Sequence, residues 1–192
     1  MKKKLLIYGS TEFGSVVREL VRHCGADFGG FVDDWHVGAG ILGTLADVIQ
    51  KCRPEEYDFA LAIGYKHLET RQRKYHELLA HGYSLPPLIH PQAYVSDSTT
   101  IGSGAMIMAR AVLDIRTHIG DLAVVWPGAV INHDCTVDGN TFISPNATLC
   151  GHSRIGSDTF IGAGAVVVDH TTVPSGSFIN AGSVFVLKTT RS

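Results

Sequence analysis

From Val95 to Thr190 the chain repeats one hydrophobic pattern every six residues, without a slip, through sixteen hexads. The first position is Val, Ile or Leu, except for Phe185 in the last hexad, and the fifth is always Ala, Ser, Thr or Cys. A fixed short period predicts stacked units that bury their faces on one another, and a six-residue period points to a parallel β-helix. Three hexads close one triangular coil, so residues eighteen apart stack about one strand spacing, ~4.8 Å, from each other. The aliphatic first positions then fill the interior, and the small fifth positions fit where the coil turns inward. The other positions face outward or form corners. Phe142, Phe160 and Phe178 share one column of sixth positions, read as a packing ladder or as an outward strip for a partner subunit.

The first part of the chain has another rhythm. Short apolar runs at Leu5–Tyr8, Phe31–Val32, Asp58–Gly64 and Leu85–Ile89 alternate with segments of helical spacing. These are Val16, Val17, Leu20 and Val21, then Leu45 to Cys52, then a charged stretch from about His67 to Ala80. Strands alternating with helices at this spacing predict βαβ units on a parallel sheet. The predicted fold class is an α/β, Rossmann-like domain over residues 1–85, followed by a β-helix of hexapeptide repeats over 86–192.

Composition narrows the partners. With 45% hydrophobic and 18% charged residues, the 192-residue chain reads as a soluble globular protein of one ordinary domain or two small ones. A net charge of -2 argues against a nucleic-acid partner. The one basic run, Lys2 to Lys4, is expected to be a solvated start. None of the four cysteines forms a CxxC pair, which argues against a zinc or redox site. Cys135 occupies a small fifth slot and is expected in the core. No apolar run approaches a membrane span, no leader segment is expected, and the expected compartment is the cytoplasm.

In open α/β sheets, ligands lie at the carboxyl ends of the strands. Three such ends are Gly9-Ser-Thr-Glu-Phe-Gly14, Asp33-Asp34 and Ile63-Gly64. The first lacks GxGxxG spacing, so it reads either as a tight strand-to-helix turn or as a site for a mononucleotide or nucleotide sugar. The aspartates read either as a turn or as ligand contacts. Among the hexads, Ile131-Asn-His-Asp-Cys-Thr136 stands apart. His133 holds the outward third position and Asp134 follows it. An imidazole beside a carboxylate is suited to general-base work; the other reading is one surface histidine among ten. Gly151 stacks on His133 one coil later and leaves space over the ring, and Asp169 follows a coil after that. His152 and His170 stack above Asp134, but no i, i+4 pair or cysteine supports a metal, and none is expected. No serine sits in a nucleophile elbow, so a histidine base points to direct transfer between two bound substrates.

The motifs together carry a resemblance. Tyr8-Gly-Ser-Thr-Glu-Phe-Gly14, Val32-Asp-Asp34, Ala62-Ile-Gly64 and Leu88-Ile-His-Pro91 precede hexads carrying Asn132-His-Asp-Cys135. The whole chain is similar to the bacterial nucleotide-sugar acetyltransferases with a left-handed β-helix. These include the bacillosamine- and perosamine-pathway N-acetyltransferases and the sialic acid O-acetyltransferases. The resemblance implies a homotrimer, acetyl-CoA as co-substrate, and active sites in clefts between adjacent helices. It implies that His133 takes a proton from a sugar amine as the amine attacks the thioester, with Asp134 raising its basicity. It also places the backbone of Gly151, Ala163 and Ala181 along the CoA arm, and Thr11, Glu12, Phe13, Asp33, Asp34 and Gly64 at the nucleotide sugar. The implied reaction is acetylation of the amino group of a nucleotide-linked amino sugar for bacterial surface glycans. The alternatives are a sugar O-acetyltransferase and a non-catalytic trimeric scaffold that binds sugar nucleotides.

The chain also departs from the family pattern. Ser10-Thr-Glu-Phe13 replaces a glycine run ending in His, and Glu12 would repel a diphosphate unless its side chain turns away. Trp126 stands where the family often has Asn near the sugar amine, and Phe142 stands where a second His contacts the acetyl group. Both changes make the expected pocket more apolar. The usual C-terminal Gly-x-Pro-Ala-Lys tail is absent, and Lys188 reads either as a contact for CoA phosphates or as a solvated end.

Overall fold

Strands β1 (Lys4–Tyr8), β2 (Asp27–Val32) and β3 (Tyr57–Leu61) form a parallel sheet in the order β2-β1-β3. The central strand is the most apolar run of the three: Leu5, Leu6, Ile7 and Tyr8 are each at most 3% exposed. Helix α1 (Glu12–His23) follows β1, α2 (Leu45–Lys51) follows β2, and α3 (Leu68–Ala80) follows β3. Val17, Leu20 and Val21 form the buried stripe of α1, at i, i+3 and i+4 spacing. Val16, expected on that stripe, lies on the outer side and is 39% exposed. Helix α2 starts at a capping box in which Thr44 and Asp47 each satisfy the other's backbone N–H.

This unit ends at Leu88, and a second unit begins at Ile89. The computed structural model describes residues 3–186; Lys188 and the end of the last hexad lie outside the described residues. The strand expected over Leu85–Ile89 is confined to Leu88–Ile89, and it pairs as the edge of a β-helix sheet rather than joining β3. At the start of the chain, Lys3 is not simply solvated: its Nζ lies 3.0 Å from Asp58 Oδ1.

In the second unit, two-residue strands stack into three parallel sheets of six, six and five strands. Each strand holds the sixth position of one hexad and the first of the next. Pairings such as Val124 with Phe142, Val130 with Thr148 and Thr136 with Arg154 fix the eighteen-residue coil. The first positions from Ile107 to Ile179 are buried, and Ala, Thr, Ser and Cys at the fifth positions pack among them. Full burial of one Ile, Leu or Val is worth about 1.5–3 kcal/mol, so a coil with three such residues is stable only with its neighbours in place.

The corners obey a rule that the hydrophobic pattern hides. Every fourth position from Gly104 to Gly182 has a left-handed backbone, with φ between 54° and 72°. Glycine, asparagine and aspartate tolerate this conformation best, and they hold most of these places; Arg110, Arg116, Leu122, His152 and His170 hold the rest. The backbone N–H groups of Asp134, His152 and His170 donate to the carbonyls of Ile115, His133 and Gly151 one coil earlier. The corner is therefore a ladder as regular as the sheets.

The three outer faces differ. One column of sixth positions runs Met106, Val124, Phe142, Phe160, Phe178; the first three are buried and Phe178 is 60% exposed. A second runs Val112, Val130, Thr148, Val166, Val184, half-buried until the exposed Val184. The third is polar: Thr100, His118, Thr136, Arg154, Thr172. Phe160 and Phe178 stack at 4.7 Å, as the ladder predicts.

Candidate active site

The Asn132-His-Asp-Cys135 segment forms the corner between the second face and the polar face, and its four side chains divide the work. Asn132 turns its amide onto the Leu149 carbonyl at 2.8 Å, and the Cys135 thiol packs inside against the Cys150 carbonyl. Only His133 and Asp134 point outward. His133 Nδ1 lies 2.8 Å from Asp134 Oδ2. The imidazole rests against Gly151: a Cβ built there would fall 2.7 Å from His133 Cε1 and 2.8 Å from Nε2. Glycine at 151 thus lets the ring sit directly against the next coil.

Asp134 has another partner that the sequence reading passed over. Arg116, one coil below in the same column, donates from Nε to Oδ1 at 2.6 Å and from its terminal nitrogen to Oδ2 at 2.8 Å. The guanidinium, and then the imidazole, hold the Asp134 carboxyl well below the usual carboxylate range. The period gave the signal: Arg116 precedes Asp134 by the same step that separates Asp134 from His152. The His152 ring meets His133 edge to face at 5.3 Å and stacks flat on His170 at 4.5 Å.

His133, Asp134 and His152 offer ligand atoms within 4.8 Å of one another. A cation there would compete with Arg116 and His133 for both oxygens of Asp134, so the donor set is already engaged within the chain.

Ala163 and Ala181 are exposed, and they stack on a different corner, between the buried face and the Val112–Val184 face. That half-buried Val face is bordered on one side by the His133 corner and on the other by the Ala163 corner. Trp126 is partly buried. Phe142 needs correction as a cofactor contact: it is 2% exposed, so its ring is packed away from any surface of the chain from which a cofactor could approach.

The first unit contains a cavity of about 420 Å³ at the carboxyl ends of its strands. Thr11, Asp33 and Gly64 line it, whereas Glu12, Phe13 and Asp34 are not among its walls. Glu12 is exposed in the first turn of α1, where the helix dipole favours an acid. Gly9, with φ 106°, and Gly14 are required by packing. A Cβ on Gly9 would meet the Ala62 carbonyl oxygen at 2.7 Å, and one on Gly14 would strike the Gly9 carbonyl.

The two aspartates are largely engaged within the unit. Asp33 Oδ2 accepts from the Ser10 N–H and hydroxyl at 3.0 and 2.6 Å, and Oδ1 accepts from the N–H groups of Trp35 and His36 at 3.0 Å each. Burial pushes its carboxyl up, but these bonds outweigh it and hold the group well below the usual range. Asp34 is likewise lowered against the effect of burial, by the Leu45 N–H, the Tyr8 hydroxyl and Lys74. The pocket also draws on residues the sequence reading did not single out: Trp35, 73% exposed, and His36, with His67 at the N-cap of α3 and Thr70 and Arg73 in its first turns.

The first unit matches the family model described as the PglD N-terminal domain, over residues 4–78. The acetyltransferase domain of PglB from Neisseria gonorrhoeae is 36% identical, covering 96% of this chain and 92% of its own, with a TM-score of 0.88. The same domain has been solved in complex with acetyl coenzyme A. PerB from Caulobacter crescentus, solved in complex with CoA and GDP-perosamine, is 31% identical over 95% of this chain and 88% of its own, with a TM-score of 0.88. Similarity at this identity runs through both units, and the chain belongs to the family of nucleotide-sugar acetyltransferases that join a PglD-type N-terminal domain to a left-handed β-helix.

Proposed function

We propose that this protein transfers the acetyl group of acetyl-CoA to the amine of a nucleotide-linked amino sugar, for the synthesis of bacterial surface glycans. The observation that carries the reading is the His133–Asp134 pair, on an outward corner with the ring laid against Gly151. Because Asp134 is held ionised, Nδ1 of His133 is the donor toward it, and Nε2 of the neutral ring is left as a proton acceptor. The sugar amine attacks the thioester carbonyl carbon. The new C–N bond forms, His133 Nε2 takes the amine proton, and the C–S bond breaks to release CoA as its thiolate, which is then protonated. General-base assistance of this kind is worth about 10²–10⁴ in rate.

The cavity of the first unit fits the nucleotide end of the acceptor. It has an exposed indole at its wall, Arg73 as a cation and His67 as a hydrogen-bonding group for phosphates, and Thr11 and Gly64 line it. Gly151, Ala163 and Ala181 are assigned to the CoA arm through their backbone, and Trp126 to the neighbourhood of the sugar. The half-buried Val face between the His133 and Ala163 corners suits a threefold assembly in which one chain supplies the base and a neighbour completes the cofactor groove. The reaction belongs in the cytoplasm, where acetyl-CoA is available; no helix among the described residues is long and apolar enough to cross a membrane. His133→Ala is the test. Thiol release from acetyl-CoA with UDP-, dTDP- and GDP-amino sugars should fall by about 10²–10⁴, with CoA still bound. A variant that keeps most of its kcat sinks the assignment.

A further inference from the structure

We infer that Arg116 is a positioning residue for the His133 base: it clamps the Asp134 carboxylate so that one oxygen stays fixed on His133 Nδ1. The inference rests on the proposed function for its kinetic consequence, and on geometry alone for its structural one.

An aspartate χ2 torsion is soft, with a broad, roughly twofold profile, so His133 by itself would leave the carboxylate free to swing. The two parallel bonds from Arg116, at 2.6 and 2.8 Å, remove that freedom. They use Oδ1 entirely and share Oδ2 between the guanidinium and the imidazole. Both ends of the clamp are anchored through the backbone. The Arg116 N–H donates to Ser98 Oγ at 2.9 Å, and the Asp134 N–H donates to the Ile115 carbonyl at 3.0 Å.

The location of Arg116 adds a separate argument. It occupies a left-handed corner with φ 54°, a conformation that disfavours an ordinary residue and costs glycine nothing. Its side chain is 60% exposed, so core packing does not account for an arginine there. The bond to the base's partner does.

The clamp also sets the charge that His133 sees. Asp134 lies on its own corner, Arg116 below it with Asp114 nearby, and His152 and His170 above; Asp169 follows two coils on in the column of His133. Arg116 is the permanent cation of this group, and it offsets the Asp134 charge. Removing it leaves the Asp134 charge unopposed beside the ring, which favours the imidazolium.

The test has two readouts on the folded full chain. The first is the titration of the His133 ring followed by NMR without substrates, in wild type, Arg116→Ala and Arg116→Lys. Arg116→Ala should raise the midpoint, and Arg116→Lys, which restores charge, should return it toward wild type. The second is kcat across pH. Arg116→Ala should move the acid limb upward and lower the plateau about tenfold. Arg116→Lys should recover the limb but not the plateau, because an ammonium cannot form the paired bonds. An unchanged midpoint together with an unchanged plateau in Arg116→Ala overturns the inference. The NMR arm needs no turnover, so failure of this inference is distinguishable from failure of the His133 assignment, which the His133→Ala variant reports.

Discussion

Each unit of the protein holds one carboxylate far more acidic than usual, and the two are built differently. Asp33, 5% exposed, is surrounded by partners from its own unit: two N–H groups and the His36 imidazole on Oδ1, with an N–H and a hydroxyl on Oδ2. Asp134 sits on an outer corner between a guanidinium and an imidazole. Depressed acidity in itself therefore says little about chemistry. At Asp33 the backbone donors close a turn, and the His36 ring, at 3.0 Å, belongs to that same turn. At Asp134 a guanidinium from the coil below fixes the carboxylate, and the imidazole it holds lies against Gly151.

The sharpest way to test that contrast is to empty each site. His133→Ala should remove most turnover, as set out above, and leave stability nearly unchanged. Asp33→Ala should act first on stability. Its N–H and hydroxyl donors lose their acceptor, so the first unit should lose about 3 kcal/mol, read from its thermal midpoint and from faster hydrogen exchange at the Ser10 and His36 amides. The acid dependence follows from sign. The folded pKa of Asp33 lies below the unfolded value of about 3.9, so its contribution is complete above that pH and is lost as the pH falls through it toward the folded value. Asp33→Asn should flatten that acid limb of stability; an unflattened limb would mean the turn does not depend on the charge.

Gly151→Ala is a smaller change. Gly151 is not among the left-handed glycines, so alanine strains no backbone, but the new methyl meets the imidazole. A fall in kcat of about 10–100-fold with an unchanged melting midpoint is expected, the cost of displacing a catalytic group. Full activity would show that the ring does not need that space. The smallest effect is structural. Arg110→Asn relieves a left-handed corner at φ 60° and should raise the thermal midpoint by about 2 °C, from less than 1 kcal/mol.

The sequence revealed much of this fold because a strict period leaves little choice. Aliphatic first positions and small fifth positions permit one register, and that register alone stacked His133 under Gly151. Other features depend on information the period does not carry. Arg116 lies one coil below Asp134, and nothing in the hexad pattern distinguishes it from Arg110, which holds the same position in the preceding hexad. Phe142 enters the cofactor set through the family resemblance, and the repeat could not test that, because burial differs from face to face at the same position. Leu85–Ile89 looked like one strand because an apolar run does not state which sheet it will join. In the first unit, Asp33-Asp34 could be a turn or a ligand contact, and only the positions of Ser10, Trp35 and His36 reveal how far the carboxylate is committed.

The left-handed corner restricts which chemistries this scaffold can evolve. At each fourth position the backbone admits glycine, asparagine and aspartate with little penalty, histidine with somewhat more, and most other residues poorly. That short alphabet contains an acid and an imidazole, the two groups from which proton transfer is most readily assembled. Asp134, His152 and His170 share one column, so a local backbone angle, repeated coil after coil, has already selected the candidates from which an active site could be drawn.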